Sequence, residues 1–178
     1  MMKSMLKPII AIAAAALILV GSGAALSKKS EANAEKELNE MLVTLLPGST
    51  SFEMEELTGE DEGILAAYKG ENGYVIQTSA YGYAGDIVMM VGVSNEGTVT
   101  GLVVRDLSET YGLGANALTD TEFLAQYLET AGDAEIGTNI DAMTGATVSS
   151  KAVTRAVNLA VAYVTGADTT SSATTWGG

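Results

Sequence analysis

The sequence predicts an α+β fold, in which a mostly antiparallel sheet with flanking helices is preceded by one N-terminal transmembrane helix. Three observations lead to this prediction: a long uncharged run near the N-terminus, four central segments with strand character, and amphipathic helical patterns on both sides of them. We divide the chain into an N-terminal membrane anchor (1–27), a connecting helix (28–48), a folded domain (49–165) and a flexible tail (166–178) rich in Gly, Ser, Thr and Ala.

The anchor is predicted from Pro8–Leu26, which carries no charge over 19 residues and consists mainly of Ile, Ala, Leu and Val. As a helix it would span roughly 28 Å at about 1.5 Å per residue, enough to cross a bilayer core. The alternative is a cleaved signal peptide, with its apolar core at 9–20 and small residues at 21–25. The spanning length favours an uncleaved anchor. Two lysines precede the run and two follow it, so the positive-inside rule gives no orientation.

Three further helices are predicted from periodicity and capping signals. An apolar stripe indicates a helix over 30–46 that ends at Pro47-Gly48 and leads from the membrane into the domain. A capping box at 119–122 opens a short helix through about Leu128, and a longer amphipathic helix is predicted over 148–165. The apolar faces of the first two helices consist of Leu38, Met41, Leu42, Leu45, Phe123, Leu124 and Tyr127.

Strand character is found in the four central segments 63–69, 73–80, 86–94 and 98–106. The last two are joined by Ser94-Asn95-Glu96-Gly97, a typical hairpin turn. Within the third strand, Met89 and Met90 are adjacent and should face opposite sides of the sheet, both as core residues.

Composition excludes several classes of function. The chain has no Cys and no His, which excludes disulfides, thiolate metal sites, iron–sulfur ligation and lipoprotein acylation and disfavours triad hydrolysis and zinc chemistry. All 22 acidic residues follow the apolar run, with only five basic residues from residue 30 onward. Such a domain is repelled by nucleic acid and by anionic lipid. The chemistry must therefore come from a bound group.

The segment 141–150, Asp-Ala-Met-Thr-Gly-Ala-Thr-Val-Ser-Ser, has the features of a phosphate site. Gly145 and Ala146 have little side chain, so a bulky group can approach the backbone. The predicted helix start supplies unpaired N–H donors and partial positive charge, and Thr144, Thr147 and two serines supply hydroxyls. A purely structural alternative is that Thr147 or Ser149 serves only as a helix N-cap.

The pattern Asp141-x-x-Thr144-Gly145-Ala146-Thr147 resembles the flavinylation motif of the FMN-binding domain family, in which a flavin transferase esterifies the last Thr with the phosphate of FMN. The resemblance implies that Thr147 is the covalent attachment residue for FMN. It also implies that Asp141 is part of what the transferase recognises.

A second motif resembles the same family. Residues 82–107 resemble its central hairpin, and the following loop, 108–114, resembles its Glu-Thr-Pro-Gly-Leu-Gly loop. Tyr111 stands where the family usually has Pro, and Ser108 where many members carry a basic residue or His. The resemblance implies that FMN lies between this loop and the 144–151 turn. Tyr81, Tyr83 and Tyr111 are candidates to lie against its ring system, and the alternative is that they are core or rim residues. The predicted cofactor-binding residues are Thr144, Gly145, Ala146, Thr147, Val148, Ser149, Lys151, Glu109, Thr110, Gly112, Leu113 and Gly114.

Lys151 and Arg155 are the only basic residues after Arg105, and they lie one helical turn apart on the helix that starts beside Thr147. Cations near a helix start are mildly unfavourable unless an anion is bound there. We expect one of them, Lys151 rather than Arg155, to contact or screen the FMN phosphate. The alternative is two solvated side chains.

Within the family, the chain is similar to the G subunit of Rnf-type complexes, which couple ferredoxin oxidation and NAD reduction to ion movement across the membrane. This implies a non-catalytic, membrane-anchored electron-transfer protein with its domain on the extracytoplasmic side of the cell (inner) membrane. Its partners would be the flavin-bearing and iron–sulfur subunits of the complex, and a flavin transferase during maturation. Three alternatives remain open: the C subunit of the sodium-translocating NADH:quinone reductase, for which the chain is short, a stand-alone anchored FMN domain for extracytoplasmic reduction, and a structural accessory subunit that is never flavinylated.

Overall fold

The computed structural model describes residues 28–57, 62–107 and 120–167. In this part of the chain five strands form one antiparallel sheet in sequential order, so that each strand pairs with its neighbours along the chain. Helices lie before and after the strands, and the predicted α+β class is confirmed. The elements are α1 (Lys28–Leu45), β1 (Glu53–Met54), β2 (Ile64–Lys69), β3 (Gly73–Tyr81), β4 (Asp86–Ser94), β5 (Val99–Leu107), α2 (Thr121–Ala125) and α3 (Thr147–Thr165).

The four predicted strands agree with β2 to β5 to within one residue at each end. The predicted turn at 94–97 joins β4 to β5, and Gly97 has the positive φ of 83° that such turns require. The sequence does not predict β1, because two residues are too few to show any periodicity. It pairs with the end of β2, where Met54 lies opposite Tyr68.

One face of the sheet is covered by α3. Alternate β4 residues, including Ile87 and Met89, are fully buried against the helix, which faces them with alanines and valines spaced three and four residues apart. Small side chains let the helix lie close to the sheet. The alanines and valines are Ala152, Val153, Ala156, Val157, Ala160 and Val161.

The other face of the sheet is covered by α1. Leu38, Leu42 and Leu45 pack with Tyr68 and Met90 in a second apolar cluster. Met89 and Met90 thus belong to opposite layers of the core, as the sequence predicts. The structure therefore has three layers, with α1 on one side of the sheet and α3 on the other.

The C-terminal end of α1 is fixed to the sheet through the carbonyl oxygen of Leu45. It accepts a hydrogen bond from Thr100 Oγ1 at 2.6 Å. It also lies directly over Gly92, where an added Cβ would overlap it. Gly92 pairs with Gly101 across β4 and β5, so two residues without side chains leave room for the helix end.

Glu71 holds the loop that follows α1. Its carboxylate accepts hydrogen bonds from Thr50 N at 3.0 Å, Thr50 Oγ1 at 3.2 Å and Ser51 Oγ at 3.1 Å. Hydrogen bonding, first from its own amide and then from Ser51 and Thr50, lowers the pKa of Glu71 to about 2. The carboxylate therefore acts as the acceptor around which this exposed loop is ordered.

The start of α2 differs from the prediction by one residue. The N-cap is Asp120 rather than the first residue of the predicted capping box, because the Asp120 carboxylate reaches two amides, Glu122 N at 2.8 Å and Phe123 N at 3.1 Å. Regular α-helix ends at Ala125 rather than near Leu128, and the chain continues in turns with shorter-range hydrogen bonds. Phe123 and Tyr127 are buried with their rings edge to face, and Leu124 packs against the same core, so the predicted apolar side is confirmed.

Both ends of the predicted organisation fall on residues that the structure does not describe. The predicted membrane anchor, 1–27, lies outside the described residues, as does the part of the predicted tail from 168 onward. No helix in the described ranges combines the length and apolar character needed to cross a membrane. α3 ends at Thr165, where Gly166 adopts the left-handed conformation (φ 68°) common at helix C-termini.

Candidate functional site

The predicted phosphate site is built on a tight turn that leads into α3. Ala146 N donates to Met143 O at 3.0 Å, which closes a four-residue turn. Gly145, at its third position, has φ +79°, as in a type II turn. From the sequence, we explain Gly145 by the close approach of a ligand to the backbone. The structure gives a second reason, since the positive φ at this position itself favours glycine.

α3 begins at Thr147 without a side-chain cap. Its N-cap is Ala146, which has no polar side chain, and the first turn contains no acidic residue. The alternative in which Thr147 or Ser149 is the N-cap is therefore wrong. The amides of the first helical residues have no acceptor within the helix, and such a helix start attracts anions. The lack of an acidic residue in the first turn of α3 is informative, because the chain is rich in acidic residues and has a formal charge of −13.

The four hydroxyls of the segment separate into two pairs. Thr144 and Thr147 are exposed, whereas Ser149 and Ser150 are buried. The hydroxyl of Ser150 is used inside the protein, since it donates to Ala146 O at 2.9 Å and accepts from Met143 N at 3.2 Å. Thr147, the predicted attachment residue, is thus an exposed residue, while Ser150 ties the turn to the helix.

Tyr127, from the turn after α2, fixes the second turn of α3. Its hydroxyl lies 2.8 Å from Thr154 Oγ1 and 3.5 Å from Ser150 O. The Thr154 hydroxyl donates to Ser150 O at 3.0 Å, so Tyr127 is the donor to Thr154. Burial raises the pKa of Tyr127 to about 12, with the hydrogen bond to Thr154 opposing the shift. The sequence predicts Tyr127 as a core residue but gives no signal for this polar contact.

The hairpin between β3 and β4 lies at the same end of the sheet as the start of α3. Arg155 Nη2 donates to Tyr81 O at 2.8 Å, whereas Thr165, at the other end of α3, lies beside Gly97 in the β4–β5 turn. Tyr81 and Tyr83 are 65% and 74% exposed. Aromatic surface is therefore available near the helix start, as expected for residues proposed to lie against a flat ring.

The two basic residues of α3 are both exposed. Arg155 donates a hydrogen bond to the Tyr81 carbonyl and acts as a tie between α3 and the hairpin. Lys151 lies one turn after Thr147, on the same side of the helix. Of the two, Lys151 is the one placed near the predicted attachment residue. Val148, beside Thr147, is 49% exposed and adds apolar surface.

The second predicted motif lies outside the described residues. Glu109, Thr110, Gly112, Leu113 and Gly114, together with Ser108 and Tyr111, belong to 108–119, so their predicted roles stay predictions. β5 precedes this segment and ends at Leu107 opposite Ile87, near the beginning of β4. The described chain therefore enters the segment at the end of the sheet where the β3–β4 hairpin lies.

Asp141 is exposed, but its main chain is held by a residue that the sequence does not indicate. Gln126 Oε1 accepts from Asp141 N at 2.7 Å, and Gln126 Nε2 donates to Asp141 O at 3.4 Å. The two residues are 15 positions apart, and a half-buried glutamine after a short helix carries no local signal for such a contact. The motif is thus supported from the turn after α2 as well as by α3.

These features fit a phosphorylated, flat cofactor such as FMN. The helix start has an N-cap residue without a side-chain hydrogen bond, no acidic residue in its first turn, the exposed residue Thr147 and the exposed Lys151 one turn later. Two exposed tyrosines at the same end of the sheet offer rings to an aromatic system. Of the residues predicted to contact FMN, Thr147, Tyr81 and Tyr83 lie in the described chain, and the 108–114 loop lies outside it.

Comparison with known proteins identifies the family. A model of the FMN-binding domain matches residues 82–162, from the β3–β4 hairpin into α3. The G subunit of the ion-translocating oxidoreductase complex of Methanosarcina acetivorans is 35% identical over 145 residues, which cover 72% of this chain and 76% of that protein. The G subunit of the Na(+)-translocating ferredoxin:NAD(+) oxidoreductase complex of Acetobacterium woodii is 32% identical over 142 residues, 66% of this chain and 69% of that protein. The G subunit of the proton-translocating ferredoxin:NAD(+) oxidoreductase complex of Clostridium ljungdahlii is 41% identical over 109 residues, 56% of this chain and 58% of that protein. The chain belongs to the family of ion-translocating oxidoreductase complex G subunits, and it contains that family's FMN-binding domain.

Proposed function

We propose that this chain is the flavin-bearing electron-transfer subunit of an Rnf-type, ion-translocating ferredoxin:NAD oxidoreductase, with FMN esterified to Thr147. The observation that carries the proposal is the exposed residue Thr147 at a helix start whose N-cap, Ala146, makes no side-chain hydrogen bond and whose first turn has no acidic residue. The names of the related G subunits support the complex, and the FMN-binding domain match supports the cofactor.

The attachment requires an activated donor of FMN, because ester formation from free FMN in water is opposed by hydrolysis. In our proposal a transferase supplies a flavin dinucleotide. Thr147 Oγ1 forms a bond to the flavin-side phosphorus, the pyrophosphate P–O bond breaks, the nucleoside monophosphate leaves and the hydroxyl proton passes to a base on the transferase. No electrons are exchanged. The product keeps its negative charge beside the first amides of α3, where the helix dipole favours an anion.

FMN would supply the redox chemistry, since the described side chains offer no redox group of their own. The residues of this chain would bind and position it. The first-turn amides and Lys151 would hold the phosphate, and the exposed Tyr81 and Tyr83 would face the ring system. A covalent bond keeps the cofactor in place where free FMN is scarce. The domain would relay electrons between flavin-bearing and iron–sulfur subunits rather than catalyse a reaction on a substrate.

The location that we propose is the extracytoplasmic side of the cell membrane, with residues 1–27 as a single-pass anchor. The support is the uncharged 19-residue run in the sequence together with the family's ion-translocating complexes. Labelling an engineered cysteine at Ser30 with a membrane-impermeant reagent in intact cells tests this orientation. Labelling only after lysis would place the domain in the cytoplasm and contradict the proposal.

The first experiment is intact-mass measurement with in-gel flavin fluorescence on protein made beside a flavin transferase. The wild-type chain should gain the mass of FMN less one water. Thr147→Ala should gain nothing. Thr138→Ala is the matched control, because it removes an exposed threonine hydroxyl nine residues earlier, outside the motif, and should still be modified. A wild-type chain without adduct, with the transferase active on a control substrate, would leave an anchored structural domain instead.

The role of Lys151 is tested after modification. Removing its charge should lower the midpoint potential of the bound flavin, because positive charge nearby favours the reduced, more negative state. Lys151→Gln is compared with Lys36→Gln, which removes an exposed charge from α1, where Lys36 lies 3.5 Å from Glu40. If the midpoint potential of the bound flavin is the same in Lys151→Gln as in Lys36→Gln, Lys151 does not act on the flavin.

Partner subunits discriminate between the remaining functions. A ferredoxin-linked complex and an NADH:quinone reductase would copurify with different subunits, and a stand-alone FMN domain would copurify with none. We expect the chain to copurify with the subunits of an Rnf-type complex, since the relatives that align with about two thirds or more of this chain are G subunits. Recovery of NADH:quinone reductase subunits would replace this proposal by that alternative.

A further inference from the structure

We propose that Gln126 is a positioning residue for flavinylation, which fixes the main chain at Asp141 and thereby presents the motif to the transferase. The inference rests on the proposed function, because it concerns how Thr147 is modified. It assigns a role to a residue outside the motif, on the turn that follows α2.

The geometry of the contact is specific to a side-chain amide. Gln126 accepts from Asp141 N through Oε1 at 2.7 Å and donates to Asp141 O through Nε2 at 3.4 Å. Only one orientation of the amide satisfies both groups, because the oxygen must meet the N–H and the nitrogen must meet the carbonyl. Both main-chain groups of Asp141 are thus used inside the protein, and the exposed carboxylate remains outside.

This contact fixes one end of the motif, and the Ser150 hydroxyl fixes the next part of it. Ile140, just before Asp141, is 1% exposed, and Met143 N donates to Ser150 Oγ at 3.2 Å. The chain between these points has little freedom, so Asp141 and Thr147 are held at a constant separation by contacts from two different parts of the fold. A transferase that reads both residues would meet a preformed surface and would not have to order the segment on binding.

A second amide in the same region provides a matched control. Asn158, on α3, accepts from Ala134 N at 3.3 Å and donates to Ala134 O at 2.8 Å. It makes the same kind of two-bond contact with the loop that precedes the motif, but seven residues before Asp141. If general loop stability determines the rate of flavinylation, substitution of Gln126 and substitution of Asn158 should reduce that rate equally. If the presentation of Asp141 determines it, only substitution of Gln126 should reduce it.

The experiment measures steady-state flavinylation of the purified chain by a transferase at varied concentrations of the chain. Gln126→Ala should raise the KM for the chain by roughly tenfold and leave kcat nearly unchanged, since the modified hydroxyl is intact and only its presentation is impaired. Gln126→Glu keeps the length and one acceptor but places a carboxylate oxygen against the Asp141 carbonyl, and should behave like Gln126→Ala. Asn158→Ala should keep the wild-type KM.

Hydrogen exchange on the unmodified chain provides a readout independent of the flavin. The Asp141 amide should exchange faster in Gln126→Ala than in the wild type and should be unchanged in Asn158→Ala. Wild-type kinetics in Gln126→Ala, or an equal loss in Asn158→Ala, would overturn the inference while the proposed function stands. A wild-type chain that is never flavinylated would overturn both.

Discussion

Replacing Tyr127 with phenylalanine tests whether the buried contact between the turn after α2 and α3 stabilises the start of α3. The change removes one hydroxyl, which donates to Thr154 Oγ1 at 2.8 Å and lies 3.5 Å from Ser150 O. Thr154 keeps its own bond to Ser150 O at 3.0 Å, so no buried donor loses its acceptor. The expected loss of stability at neutral pH is therefore about 1 kcal/mol, the net value of one hydrogen bond, and not the larger cost of an orphaned polar group.

The same substitution should change the pH dependence of stability. The pKa of Tyr127 is raised from its usual 10.0 to about 12 in the folded chain, chiefly because the side chain is buried. Above pH 10 the unfolded chain loses this proton first, so the folded state then holds more protons and stability falls as pH rises towards 12. A gap of about two pKa units corresponds to at most ~2–3 kcal/mol, roughly half of which is lost by about pH 11. The phenylalanine variant has no proton to lose at this position.

The assay is urea unfolding followed by far-UV circular dichroism, for the wild type and Tyr127→Phe, at neutral pH and at steps up to about pH 11. The variant should be about 1 kcal/mol less stable at neutral pH and equal to the wild type near pH 11, because the two effects then cancel. The other tyrosines contribute to both chains alike and drop out of the difference. A difference that stays constant with pH would refute the burial argument, and no difference at any pH would refute the hydrogen bond.

Three other substitutions test the 143–146 turn before α3, the loop after α1, and the contact between the C-terminal end of α1 and the sheet. Gly145→Ala should destabilise the chain by about 1–2 kcal/mol in urea unfolding, and should slow flavinylation, because an L-residue is strained at φ +79°. Glu71→Gln should reduce the loss of stability that the wild type shows as pH falls. Hydrogen bonds from its own amide and the neighbouring loop lower the pKa of Glu71 from 4.5 to about 2. The carboxylate therefore stabilises the folded chain fully above pH 4.5, and this stabilisation is lost as pH falls through 2. Gly92→Ala should lower the melting temperature and reduce the free energy of unfolding by about 1–3 kcal/mol, because the added Cβ would overlap Leu45 O. Gly101→Ala should have a smaller effect, because the atom nearest to its added Cβ is the same oxygen at 3.0 Å.

The elements that the sequence predicts well are those whose periodicity extends over several residues. β2 to β5 and both long helices repeat an apolar pattern at least three times, and their predicted ends are close to the observed ones. β1 has two residues and no pattern. The predicted start of α2 lies one residue early because Thr119 and Asp120 are both good caps, and only the three-dimensional path of the chain decides between them.

The candidate site can be predicted only in part. A local motif predicts attachment at Thr147, which stays a prediction, and a glycine turn at Gly145, whose positive φ the structure shows, because both depend on consecutive residues. The residues that support the motif come from elsewhere in the chain. Gln126 and Tyr127 reach it from the turn after α2, and Arg155 ties α3 to the β3–β4 hairpin. Each contact joins residues at least 15 positions apart, which a local sequence pattern cannot connect.

The start of α3 shows why such distant support is needed. A helix is ordinarily stabilised at its N-terminus by a side-chain cap and by acidic residues in the first turn, which together contribute on the order of 1–2 kcal/mol. α3 has neither. A cap or a carboxylate at that position would occupy the amides and repel the phosphate that we propose to be bound there. Stability must then come from groups that leave the helix end open. The inward-facing Ser150 hydroxyl and the Tyr127–Thr154 contact act one turn later, on the buried side of the helix. The helix start is thereby held rigid from within while its outer side remains available to an anion, which is the arrangement that a covalently attached phosphate at Thr147 requires.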